Sequence, residues 1–377
     1  MESTFKLGKV FGIPIGIHYT WLIALVLITM SLIAQFAASY PHWGRFTHFI
    51  VGLVTAVLLF ASVLIHELAH SLVALAKGIP VHSIVLFIFG GISQTSREAS
   101  TPLAEFLIAV VGPFTSFAIG GLSYGIGMLV GDPAQPLPAM FAFLAYINVV
   151  LGVFNLIPGF PLDGGRVLRS IVWGATKSYE RSTRISATVG KAISYIFILG
   201  GVMIAFSGNF VSGLWLAFIG WFLLNAAQAS TQELTLREAL AGVKASDLMT
   251  TDCLIVQRDM SLDAFIQDYL LGTGRRCFLV ADENHLLGIV TPHNLSGVQR
   301  DRIATMIVGD VMTPFDRVKS VRPDELALEV LRRMDSENVN QLPVVEDHRL
   351  LGLVGRASLL NRIRNYLEFH ELTRGGK

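Results

Sequence analysis

Six apolar stretches leave this chain few ways to fold. A helix needs about 20 apolar residues to cross a bilayer, and roughly 18–38, 48–76, 103–130, 138–157, 186–207 and 211–229 reach that length. In hydrocarbon a chain must satisfy its own backbone hydrogen bonds, so such stretches are read as spanning helices. The balance of 52% hydrophobic and 15% charged residues argues the same way, since a soluble globule of this size is seldom so apolar. Acidic side chains are sparse up to Ser230; beyond it acids and bases are dense. A membrane part (1–230), a helical linker (231–243), a soluble part (244–366) and a tail (367–377) are therefore expected. No basic run suggests nucleic acid, and Cys253 and Cys277 fit neither a metal spacing nor a disulfide framework. The N-terminus lacks a short apolar core followed by a small-residue cleavage site, so no removable signal peptide is expected.

The fourth stretch ends in a Pro/Gly-rich break, Asn155–Arg166, and resumes as a short helix near Val167–Gly174. Between the second and third stretches lies an apolar segment with the pair Gly90-Gly91, too short to span and rich in β-branched and aromatic residues. It reads as a strand or re-entrant loop. With the N-terminus inside, the inner loops hold Lys6, Lys9, Lys77, Arg97, Arg166, Arg169, Lys177, Arg181, Arg184 and Arg237, and the outer loops only Arg45. That asymmetry places both termini and the soluble part in the cytosol; a prokaryotic plasma membrane is the expected location.

Inside the second stretch stand His66, Glu67 and His70. Positions i and i+4 share a helix face, so the two imidazoles can hold one zinc, while Glu67 beside them can take a proton from an attacking water. Three ionisable groups at this depth are costly unless function offsets them, which weighs against a chance match. His66 precedes Lys77 by eleven residues, or ~16 Å at ~1.5 Å per residue. Water must reach that depth, and the break supplies the polar, non-helical backbone this requires. A catalytic zinc usually has three protein ligands, and Asp163 is the natural third; Glu98 and Glu105 lie toward the inner surface. Asp163 could instead make an Asx-turn or cap the helix that follows. Asn155 could bind an oxyanion or position substrate backbone, or be a packing amide.

The soluble part repeats itself. Ser246-Asp247-Leu248-Met249-Thr250 recurs as Gly309-Asp310-Val311-Met312-Thr313, and 278–291 matches 342–355. This resembles a tandem pair of CBS domains, a Bateman module, with repeats at 244–300 and 301–366. The resemblance implies an adenine nucleotide at clefts between the repeats or, as the alternative, a structural or dimer-forming role for the pair. Thr291 and Asn294 are the candidate contacts, Asn294 standing where an Asp is usual. The second repeat, Gly352–Ser358, has neither the Thr nor the acid.

Over about 10–230 the chain resembles the site-2 protease family of intramembrane metalloproteases. The resemblance rests on His66–His70, the Asn155–Gly164 run, Gly90-Gly91, and Glu105 with Gly112-Pro113. It implies zinc ligands His66, His70 and Asp163, a general base at Glu67, and a membrane-embedded β-like loop at Phe89–Ser93. The edge of that loop, at Gly90 and Gly91, would pair with an unwound transmembrane substrate. The chain departs from the family at Phe114-Thr115-Ser116, where a polar Asn often follows the Gly-Pro; that departure bears on third-span packing. The expected fold is thus a membrane α-helical bundle of about six spans with a re-entrant β-like loop, followed by an α/β tandem CBS module. The expected activity is zinc-dependent intramembrane proteolysis. A CBS-regulated transporter or channel, or an inactive protease-like adaptor, is the alternative.

Overall fold

The computed structural model describes residues 4–88, 90–132, 134–251, 254–273, 278–282, 285–295, 298–299, 302–346 and 349–374. Phe89, Cys253 and Cys277 lie outside these. The chain divides into two compact units, Met1–Gln232 and Glu233–Lys377.

In the first unit the order is β1 (Phe5–Val10), β2 (Ile13–Ile17), α1 (Thr20–Ser39), α2 (Arg45–Ala76), β3 (Val81–Phe87), β4 (Gly90–Thr95), α3 (Pro102–Val130), α4 (Pro136–Asn155), α5 (Asp163–Thr176), α6 (Tyr179–Phe206) and α7 (Phe210–Leu240). Among the described residues six helices, α1–α4, α6 and α7, are long and apolar enough to cross a membrane. Their starts follow local chemistry. Pro102 opens α3, where its missing N–H is harmless, and the Thr101 hydroxyl accepts from Ala104 N. Ser178 caps α6 in the same way through Arg181 N.

The helices approach closely through small residues, as lipid-embedded helices do. Ala56, Ala109, Ser116 and Ala145 are buried along α2, α3 and α4. Asn148 of α4, fully buried, donates to Ser62 Oγ of α2 at 3.3 Å and to Leu144 O at 2.9 Å.

The strands form one four-stranded sheet, β1-β2-β3-β4. It is larger than the single re-entrant segment expected from the sequence. β1 and β2 form an antiparallel hairpin turned at Phe11 and Gly12, both with positive φ. β2 pairs parallel with β3, and β3 pairs antiparallel with β4 from Val81↔Thr95 to Phe87↔Gly90. β1 escapes a pattern reading because all six of its residues are exposed and it buries no alternating face. α5 also starts earlier than the short helix expected near Val167. Its first turn holds Gly164 and Gly165, poor helix formers. A Cβ on Gly165 would lie 2.4 Å from Phe160 N, and one on Gly164 2.3 Å from Leu156 O. Close packing on the break, rather than propensity, selects these glycines. α7 runs without interruption through most of the linker segment, with Arg237 and Glu233 paired at 2.7 Å one turn apart.

The second unit holds a six-stranded sheet: β5 (Ile255–Val256), β6 (Phe278–Asp282), β7 (His285–Val290), β10 (Arg349–Gly355) and β9 (Gln341–Glu346) in that order, with β8 (Thr313–Pro314) on β7. Two of its apolar clusters run out of phase with the sequence repeat. Leu240 and Ala245 pack with Val330, Met334, Val344 and Val354; Val308 packs with Val256, Phe265, Phe278 and Val290. The repeated Met-Thr explains the exchange. Thr313 pairs with Ile289, and Thr250 bridges Leu353. A Cβ on Gly288 would lie 2.3 Å from Thr313 O, and one on Gly352 2.7 Å from Thr250 O. Each Asp-x-Met-Thr segment thus lies against the glycine of the other repeat's strand.

Candidate metal centre

The helical period puts His66 and His70 on one face of α2, both buried. Their Nε2 atoms are 3.1 Å apart and lie 3.2 and 3.1 Å from Asp163 Oδ2. Among the described residues this is the group of His, Cys, Asp and Glu side chains that could hold a metal ion. The outer nitrogens are held by α3: His66 Nδ1 meets Ser116 Oγ at 2.9 Å, and His70 Nδ1 meets the carbonyl of Ile108. A carbonyl only accepts, so His70 Nδ1 is the donor. In the neutral ring Nε2 then carries the lone pair that a metal needs.

The residues fit a zinc ion. Four ligands arranged tetrahedrally at ~2.0–2.1 Å stand ~3.3 Å from one another, close to the three separations found here. Three lone-pair donors turned toward one point repel unless a cation lies among them. Space is kept for it as well. α3 passes so near that a Cβ on Gly112 would lie 2.1 Å from His70 Nε2 and 2.7 Å from His66 Nε2. Ile108, Gly112 and Ser116 recur every four residues on α3, so one stripe of that helix orients both rings and leaves the donors uncovered.

Asp163 comes to this point through the break. Phe160-Pro161 is cis, and Leu162 is extended before the first turn of α5. Gly190 of α6 lets the break lie flat, since a Cβ there would meet Phe160 O at 2.3 Å. Arg169 then fixes α5. It is buried, donates to Glu105 of α3 and to the Tyr179 hydroxyl, and lies over the rings of Phe160 and Tyr179 at 5.0 and 4.8 Å. Glu105 has no exposed surface: it is enclosed, and two arginines, Arg169 and Arg166, compensate its charge.

Glu67 faces β4. A Cβ on Gly91 would be 2.5 Å from Glu67 Cγ, and Ser93 Oγ lies 2.9 Å from Ser71 Oγ one turn along α2. A cavity of about 370 Å³ is lined by Glu67, His70 and Asp163, by Arg166, and by Thr95 at the end of β4 and Arg97 just after it. Asn155 is the last residue of α4 and half-buried; it does not line this cavity, and its amide has no partner among the described residues. In the second unit Asn294 Oδ1 accepts from Thr291 N and Oγ1 at 3.0 and 2.7 Å, and its amide donates to Thr313 Oγ1 at 3.0 Å. Both candidate nucleotide contacts therefore close a local turn on each other.

Sequence reasoning missed Ser116 and the Glu105–Arg169 pair. The departure at Phe114–Ser116 bears on more than packing, because Ser116 holds a histidine of the triad. The signal was present in the spacing: Glu105, Gly112 and Ser116 lie seven and then four residues apart, on one helix face.

The profile of peptidase family M50 matches residues 54–137 and 131–197, and that of the CBS domain matches 245–300 and 308–365. The Synechocystis protein sll0528, named among zinc metalloproteases, is 34% identical over 367 residues, covering 96% of this chain and 95% of that protein. Zinc metalloprotease MJ0392 of Methanocaldococcus jannaschii is 30% identical over 374 residues, covering 98% of this chain and 99% of that protein. Among solved structures, a site-2 protease from Methanocaldococcus jannaschii matches with 31% identity and a TM-score of 0.42, over 60% of this chain and 94% of that one.

Proposed function

Since the chain belongs to peptidase family M50, the site-2 proteases, we propose that it is a zinc-dependent endopeptidase cutting transmembrane segments of other proteins within the bilayer. It is a multi-pass membrane protein with a C-terminal tandem CBS module. The observation that carries the reading is the convergence of His66 Nε2, His70 Nε2 and Asp163 Oδ2 beside the Glu67 carboxylate.

These three side chains would hold the ion. Zinc, when bound, supplies a Lewis acid that polarises a carbonyl and makes water acidic enough to attack at neutral pH. Glu67 takes the proton of the attacking water and delivers it to the leaving nitrogen. Ser116 and Ile108 keep both imidazoles turned inward throughout. The cavity past Arg166 gives water a polar way to a depth that lipid would keep dry.

A transmembrane helix hides its peptide bonds, so the substrate must unwind. β4 is an edge strand beside Glu67, and we assign Gly90 and Gly91 to pairing with the unwound segment. The free amide of Asn155, where α4 stops, is assigned to substrate backbone. The excess of Lys and Arg in alternate loops supports cytosolic termini and release of a cytosolic fragment. The bacterial and archaeal relatives support a prokaryotic plasma membrane. At the CBS pair, an adenine nucleotide contacting Thr291 and Asn294 would have to open the turn these residues now close.

The deciding experiment compares membrane proteomes of cells carrying wild type and Glu67→Gln. Fragments present with the wild type should vanish with the variant, a fall of at least about 10²-fold in cleavage, while purified Glu67→Gln keeps its zinc. Unchanged fragment patterns reject the enzyme in favour of an inactive adaptor. Asp163→Asn should lower zinc occupancy, and an unchanged metal content rejects Asp163 as a ligand.

A further inference from the structure

Peptide hydrolysis makes charge where there was none. The water oxygen joins the scissile carbonyl carbon, the C–N bond breaks, and a water proton goes to the leaving nitrogen. The new acid then loses its remaining proton to that amine, leaving a carboxylate and an ammonium. An unpaired carboxylate at membrane depth is costly, so the half that keeps the carbonyl leaves readily only if a cation receives it.

Three guanidiniums line the cavity. Arg169 is unavailable, buried and fastened to Glu105 and Tyr179 between two aromatic rings. Arg97 donates to the carbonyl of Gly78 at 3.0 Å, beyond β4. Arg166 differs from both. It follows Asp163 by one helical turn, its side chain is 32% exposed, and its one contact among the described residues is from Nε to Glu105 Oε1 at 3.3 Å. That carboxylate oxygen is already engaged by Arg169. Among the described residues the two terminal nitrogens of Arg166 have no partner, and the residue lines the same cavity as Glu67.

We propose that Arg166 is the receiver of the new C-terminal carboxylate: its free Nη1 and Nη2 donors, one turn from Asp163 and opening on the same cavity, bind the carboxylate that cleavage creates and draw it away from the triad. A guanidinium matches a carboxylate with two parallel N–H···O bonds. Arg166 is then a residue of product capture and release, outside the proton transfers. The role rests on the protease reading.

The test uses full-length, zinc-loaded Glu67→Gln protein in nanodiscs, which cannot turn over, and a fluorescent Ala/Leu/Gly hexapeptide ending either in a free carboxylate or in an amide. The ratio of the two affinities is the readout. The ion's own preference for the acid is common to all variants. Adding Arg166→Met should cut the acid-over-amide ratio by about tenfold, as expected for loss of a charge-assisted pair. Arg166→Lys, which keeps the charge without the fork, should fall between. Zinc content should stay unchanged. A purely structural arginine would weaken both peptides alike, so an unaltered ratio overturns the proposal. So does an amide peptide with an internal Glu that binds as well as the acid form, since the site would then read a side chain. Normal proteolysis by the wild type with an unaltered ratio removes only the role of Arg166. Absence of cleavage together with no binding of either peptide removes the protease reading itself.

Discussion

At the residue scale the site depends on which atoms are kept turned inward. Ser116 has no exposed surface and reaches His66 Nδ1, where it fixes the ring for its inner nitrogen. Partners that orient a metal-bearing imidazole typically matter by 10–100-fold in affinity. Ser116→Ala should therefore weaken zinc binding by about that factor in a chelator competition, with the helical content unaltered by circular dichroism. Affinity equal to wild type would remove Ser116 from the site. Gly112 acts by absence. A methyl group 2.1 Å from His70 Nε2 cannot share space with a donor atom, so purified Gly112→Ala should carry far less zinc than wild type. Full metal content there would show that α3 can step back.

At the element scale the site is a meeting of three helices and a strand edge. α2 brings the imidazoles, α3 orients them, α5 delivers Asp163, and β4 lies against Glu67. The α3–α5 contact is pinned by Glu105 and Arg169. Removing one partner of a buried ion pair leaves the other charge uncompensated, which typically costs about 3–5 kcal/mol. Glu105→Gln should lower the thermal unfolding temperature in detergent and reduce zinc content, and Glu105→Leu combined with Arg169→Leu should destabilise by less than the two single changes added. Strict additivity would mean the two side chains act separately. On the strand side, Gly91→Ala places a methyl 2.5 Å from Glu67 Cγ. Cleavage should fall while zinc stays bound, a split that separates β4's approach to Glu67 from any effect on the metal.

At the scale of the whole molecule, a membrane unit and a soluble unit follow one another along the chain, and each builds its own core. Orientation is a property of the whole, set by where Lys and Arg fall relative to six spans. A protease-sensitive tag after Lys377 should be digested in inverted membrane vesicles and protected in intact spheroplasts. Digestion from outside would reverse the topology. Within the soluble unit, the repeat that is plain in the sequence differs from the packing unit. Residues near Ala245 complete the core of the second repeat, and Val308 that of the first. Cutting the chain between the two sequence repeats would part Ala245 from the core it helps to fill.

The sequence alone determined the six long apolar helices, the CBS pair that follows them, and the placing of His66 and His70 on one helix face with Glu67 beside them. Each is written in local terms: apolar length, internal repetition, and two imidazoles one helical turn apart. For Asp163 the sequence favours a ligand but also allows an Asx-turn or helix cap, and the fold brings its carboxylate to the two imidazoles. Tertiary structure decided what depends on distant neighbours: the β1–β2 hairpin that joins β3, the enclosure of Glu105 by two arginines of α5, and Ser116 behind His66. Hydrophobic pattern records which face of an element is buried. It carries no record of which partner lies across that face, and that partner is what turns Asp163 toward two imidazoles and leaves Arg166 free beside it.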